Sequence, residues 1–169
     1  AVGVGTALCG TFLGAAADRF GQRPVLLCLA IANGTALVVF SLVVHGPGED
    51  ALVLSAAFAI GATAPQVAPM SRARLVTIIK ERMPASRHAR TVSGTMAYES
   101  AADEMVFVFG PFVVGVLASL VVPRMPLAVA ALLTVVFVIA FALHPSGRSI
   151  AAERAADGTA GSPASALFR

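Results

Sequence analysis

The chain has 169 residues, of which 57% are hydrophobic and only 12% charged, with no Trp. A soluble domain is nearer half apolar and a quarter charged, so a globule wetted on all sides is excluded and lipid is the solvent to expect. A formal net charge of +3 is too mild to hold a polyanion, so nucleic acid is not an expected partner.

A membrane-crossing helix needs about 20 mostly apolar residues. Five stretches meet or approach that length: residues 1–17, 24–45, 51–70, 91–122 and 126–144. The first is short by a few residues. Pro24 and Pro126 suit first helical turns. The fourth is long enough to tilt or to extend out of the membrane. None alternates with period two, so a membrane barrel is not expected and the fold class is all-α membrane protein. The partial bundle of 1–145 is followed by 146–169, a small, polar, low-complexity stretch that reads as a flexible linker or tail. The first residue is Ala and no basic region precedes the first apolar run, which favours a chain cut from something longer over a signal peptide.

The charges between spans set an orientation. Eleven of the twelve basic residues fall in the segment 17–23, in the segment 71–90, or in the tail, whereas residues 121–126 hold only Arg124 and residues 45–50 carry Glu49 and Asp50. Under the positive-inside rule the first three are cytoplasmic. Five crossings then place the N-terminus of the chain outside and its C-terminus inside.

Cys9 and Cys28 sit inside apolar runs as small hydrophobes. His45, His88 and His144 have no metal-ligand spacing, and neither a Ser/His/Asp arrangement nor a phosphate loop is present, so no metal, no cofactor and no enzymatic activity is expected.

In the first span Thr6, Gly10, Gly14 and Asp18 recur every four residues and share one face, with a GxxxG at 10–14 that would let another helix approach closely. The stretch "GAAADRFGQR" (14–23) resembles the signature loop of the major facilitator superfamily, G-x-x-x-D-R/K-x-G-R/K-R/K, which joins that family's second and third helices. Gly14, Asp18, Arg19, Gly21 and Arg23 match, and Gln22 stands where a basic residue is usual. The resemblance implies a charge network in which Asp18 accepts and Arg19 and Arg23 donate, with Gly21 permitting the turn. It also implies that the spans are helices two to six of an N-terminal six-helix bundle, the first helix and the C-terminal half being absent. A multi-pass protein of the bacterial cytoplasmic (inner) membrane follows from it.

The fourth span holds "AYESAADEM" (97–105), with Glu99, Asp103 and Glu104 in a segment that otherwise qualifies as membrane. A charge near mid-bilayer costs at least about 2.5 kcal/mol, so such acids usually serve a pathway. Glu99 and Asp103 share a helix face, and Glu104 points about 140° from Glu99. No basic residue falls at matching depth within the five stretches, so at least one acid is expected to be protonated or to pair with an absent helix. The arrangement suits proton coupling or binding of a cationic substrate; if the helix starts later, Glu99 is simply wet. Tyr98 either lines the cavity or anchors at the interface.

Further along, Gly110, Pro111 and Gly115 in "VFVFGPFVVG" (106–115) resemble the bend motif of the drug/proton antiporter branch, with Val114 in place of its first terminal glycine and Val106 in place of its upstream one. In the third span Gly61 aligns with that branch's glycine, but Ala57 stands at its arginine position. Pro65 and Pro69, with Gln66 between them, mark a bent helix end. Arg72 and Arg74 after them either join the Asp18 network or face lipid headgroups.

The resemblance implies proton-coupled efflux of small organic molecules by alternating access. The partners expected are lipid, protons and a small-molecule substrate. A non-transporting membrane subunit or degenerate remnant, and a uniporter or sugar-type importer on the same fold, remain as alternatives.

Overall fold

In a computed structural model, residues 1–46, 49–120 and 122–146 are described. The expected linker therefore lies outside the described residues except for Ser146. Among the described residues six helices follow one another: α1 (Val2–Phe20), α2 (Gln22–Val44), α3 (Asp50–Ala62), α4 (Val67–Arg82), α5 (Ala85–Leu120) and α6 (Met125–Leu143). Together they make up 88% of the described residues, which contain no strand.

Among the described residues, four stretches are long and apolar enough to cross a membrane: α2, the run Asp50–Arg82 shared by α3 and α4, α5, and α6. The first expected stretch, α1, falls short of that apolarity. That helix has 19 residues, but its glycines, its threonines and the Asp18–Arg19 end keep it below the apolarity of the others. Two further boundaries move. The stretch 71–90, expected as a loop, is helical through Arg82 and again from Ala85, so α5 begins six residues before the expected 91. The third expected span breaks early, at Thr63–Gln66, where Pro65 withholds a backbone donor.

The helices meet where small residues face each other. The most extensive interface is α2 with α6, followed by α1 with α3. At Gly34 of α2 an added methyl would come within 2.6 Å of Val135 Cγ2 on α6, so close approach there requires glycine. At Gly61 an added methyl would overlap the backbone of Val2, and at Gly5 it would overlap Phe58 O. The α1–α3 contact is therefore backbone on backbone, the arrangement that small residues permit between helices in lipid. It runs through Gly5 rather than the expected GxxxG, since nothing lies within 4 Å of a methyl at Gly14 and only the Gln66 side chain lies near one at Gly10.

Side chains then take up the backbone groups that the α3–α4 break frees. Thr6 Oγ1 donates to Gly61 O (3.2 Å), and the buried Asn33 donates through Nδ2 to Ile60 O (2.8 Å) and Thr63 Oγ1 (3.1 Å). Lipid tolerates a broken helix only with such compensation. Ala17, Leu26, Ala30, Met70, Val138 and Ala142 form the buried apolar cluster, drawn from α1, α2, α4 and α6. By contrast, no residue of α5 is buried.

Candidate functional site

α4 carries the polar groups that matter, on two opposite faces. Its sequence from Ser71 to Arg74 alternates small and basic residues, and Arg72 and Arg74 therefore project about 200° apart. One arginine reaches outward to α5 and the other inward to α2 and α6.

On the outer face, Arg72 bridges two carboxylates. Its Nε donates to Glu99 Oε2 at 2.9 Å and its Nη2 to Asp103 Oδ2 at 3.1 Å. Ser71 Oγ donates to the other oxygen, Glu99 Oε1, at 3.4 Å. The acids can share one guanidinium because they lie four apart on α5, one turn above the other. The Glu99 side chain is 18% exposed and that of Asp103 58%. The expectation that these acids lack a basic partner is thereby overturned: the partner stands on a helix that the loop reading had ended at Met70. Two carboxylates against one guanidinium leave an excess of one negative charge. These groups border a cavity of about 370 Å³ that Tyr98 and Ala102 also line. Glu104 makes no hydrogen bond or ion pair among the described residues and turns away from this cavity, consistent with its register on α5.

The inner face holds Arg74, only 2% exposed. Its Nε and Nη2 donate to Gln22 Oε1 (3.2 and 3.1 Å), its Nη1 donates to Phe141 O (2.8 Å), and its guanidinium lies 3.8 Å from the Phe141 ring centroid. A charged donor is here spread over a carboxamide, a carbonyl and an aromatic face, each of which stabilises it. Gln22, where the resembled motif has a basic residue, supplies the acceptor that a basic side chain lacks. Arg23 reaches the same end of α6, with Nη2 3.5 Å from Leu143 O and from His144 O. Both arginines thus sit at a helix C-terminus, where the carbonyls and the dipole favour a cation. The Nε of Arg23 is buried and has no hydrogen-bond partner among the described residues.

The remaining predicted residues fall near this end or along α5. Gly21 is the single non-helical residue between α1 and α2 and has φ 90°, which a residue with a Cβ rarely adopts. Asp18, Gly10, Gly14, Gln22 and Gln66 line a cavity of about 210 Å³ between α1 and α4. Arg19 lies over its neighbour Phe20, 5.7 Å from the ring centroid. The donors Arg19 and Arg23 are thus engaged by a ring and by α6 carbonyls. Gly110 lines an apolar groove between α5 and α6, Pro111 lies within α5, and nothing is within 4 Å of a methyl at Gly115.

Arg74 and its partners are what sequence reasoning missed. The available signal was the absence of Gly and Pro between Pro69 and Pro84, which lets a helix continue under the charges. No family model, no curated protein and no solved structure matches this chain.

Proposed function

We propose that the chain is part of a secondary transporter of the major facilitator type, five helices of an N-terminal half, working by alternating access and coupling protons to the efflux of small organic molecules. The observation that carries this reading is the Arg72–Glu99–Asp103 triad on helices apolar enough to cross a membrane. Its excess negative charge is the kind of site that loads a proton or a cation and gives it up when the surroundings change, and acids at such depth usually serve a pathway. Support also comes from the Gly21 turn, which allows the signature loop its sharp reversal. In this reading the Gly21 end faces the cytoplasm of a bacterial inner membrane, in keeping with the distribution of basic residues.

The test uses the parent reading frame in everted vesicles, with ethidium as the probe and an imposed proton gradient as the drive. Asp103→Asn and Glu99→Gln are each expected to abolish gradient-driven ethidium movement while leaving downhill exchange measurable. Unchanged gradient-driven movement in both variants would overturn proton coupling at this site. Movement indifferent to the gradient in the unsubstituted protein would indicate a uniporter, and none at all a non-transporting subunit. The 169-residue chain alone, in liposomes, is expected to give no ethidium counterflow.

A further inference from the structure

The two acids that share Arg72 are not equivalent. Arg72 Nε donates to one Glu99 oxygen at 2.9 Å and Ser71 donates to the other at 3.4 Å, so both oxygens of this acid are engaged from α4. The Glu99 side chain is also the more sheltered, 18% exposed. Among the described residues Asp103 is bonded at one oxygen only, by Arg72 Nη2 at 3.1 Å, and its side chain is 58% exposed. One guanidinium neutralises one carboxylate, and the shorter, drier contact is the stronger. The uncompensated negative charge therefore resides at Asp103. A second cation arriving there displaces a single hydrogen bond and leaves Arg72 on Glu99.

The remaining walls of the same cavity say what kind of cation fits. Val67 and Ala68 of α4 and Ala102 of α5 are apolar, and Tyr98 lines the space one residue before Glu99 and one turn before Ala102. Tyr98 is 75% exposed, so its ring is open to a ligand. An aromatic face attracts a cation that comes within about 6 Å of its centroid, most strongly when both have shed water. The cavity holds about 370 Å³, and small-molecule sites run from about 300 to 1,000 Å³. A bare metal ion leaves the ring and the apolar wall unused. An anion meets excess negative charge, and a dication brings more charge than one carboxylate matches.

We propose that the cavity between α4 and α5 takes a monovalent organic cation with a flat apolar body. Asp103 is the carboxylate that meets the cation and Tyr98 the face that covers it, while Glu99 is a positioning residue that holds Arg72 aside. This rests on the reading of the triad as a transport site and names the substrate class of that site.

The test is equilibrium binding of ethidium, a flat monovalent cation, to the full chain in neutral maltoside micelles, read by fluorescence anisotropy with empty micelles as the blank. No gradient is applied, so absent binding strikes this site, whereas unchanged gradient-driven movement in the vesicle variants strikes proton coupling. Removing either acid alone cancels the excess charge, so the informative variants are two doubles of equal charge. Arg72→Gln with Asp103→Asn keeps Glu99 alone, and Arg72→Gln with Glu99→Gln keeps Asp103 alone. The first is expected to bind ethidium about tenfold or more weakly than the second, as loss of a contact to a charged group implies. Tyr98→Leu is expected to weaken binding about two- to fivefold, and Tyr98→Phe to recover it. Arg72→Gln by itself leaves two acids, and is expected to shift preference toward propidium, the divalent dye with the same ring system. Equal binding by the two doubles would overturn the role of Asp103, and unchanged binding in Tyr98→Leu that of the ring. An unshifted preference for propidium would overturn the single-charge match. No ethidium binding by the unsubstituted chain would overturn the cation site.

Discussion

α5 and α6 are both apolar enough to cross a membrane, yet one is packed and the other is bare. α6 buries Ala131, Val138 and Ala142, spaced so that they share the face turned to α2. There Leu26, Leu29, Ala30, Asn33 and Gly34 are buried in their turn. α5 has Gly110, Gly115 and Ala118 along its length, but nothing stands within 4 Å of a methyl at either glycine. Hydropathy therefore decides only that a helix suits lipid. Matching small residues on a second helix decide whether it is packed, because lipid chains are as apolar as the side chains they would be exchanged for.

The sharpest way to break this comparison is to truncate one large side chain in each region. Leu26→Ala, at a fully buried position, is expected to cost about 2–5 kcal/mol. Phe107→Ala, on α5 and 77% exposed, is expected to stay within about 0.5 kcal/mol. Unfolding of the chain in mixed micelles, followed by helical circular dichroism, reads both. Equal losses would mean that α5 is as tightly packed as α2.

A smaller effect comes from adding a methyl rather than removing a ring. Gly61→Ala, which drives a methyl into the backbone of Val2, is expected to cost about 1–3 kcal/mol. Gly110→Ala meets open space in the middle of a helix and is expected to be neutral or stabilising by up to about 1 kcal/mol. The same unfolding measurement applies, and a destabilised Gly110→Ala would place an unseen neighbour against α5.

The smallest effect tests the link between the regions. A double-mutant cycle of Arg72→Gln with Glu99→Gln is expected to give a coupling of about 0.2–1 kcal/mol, because the Arg72 side chain is 45% exposed and solvent screens what it can reach. A coupling of zero would detach the acids of α5 from α4 altogether.

The regular parts of the molecule were legible residue by residue. α2 and α6 lie within two residues of the stretches read from apolar length alone, since unbroken runs bounded by Pro24 and Pro126 leave little choice. Gly21 was legible as a turn through the resemblance of residues 14–23 to the signature loop, which places a glycine there. α4 was not legible, and the reason is physical. Its Arg72, Arg74, Lys80, Glu81 and Arg82 look like a wet loop when counted, but counting charges says nothing about where each side chain points. One of the five is buried on a carbonyl and a ring, and one spans two acids. Those partners lie on α2, α5 and α6, far along the chain, so no local pattern around residue 72 or 74 announces them. The site acids Glu99 and Asp103 were found from their setting. Their counter-ion was missed with the helix that bears it.

The length of α5 has a mechanical consequence. Its 36 residues make a rod of about 54 Å, whereas bilayer hydrocarbon is about 30 Å thick. The end that begins Ala85, Ser86, Arg87, His88 is polar enough to stand in water while the remainder stays among acyl chains. A push at that wet end is delivered to Glu99 and Asp103 along unbroken helix, with no joint to absorb it before Pro111. The polar end of α5 and the two acids are therefore parts of one stiff rod.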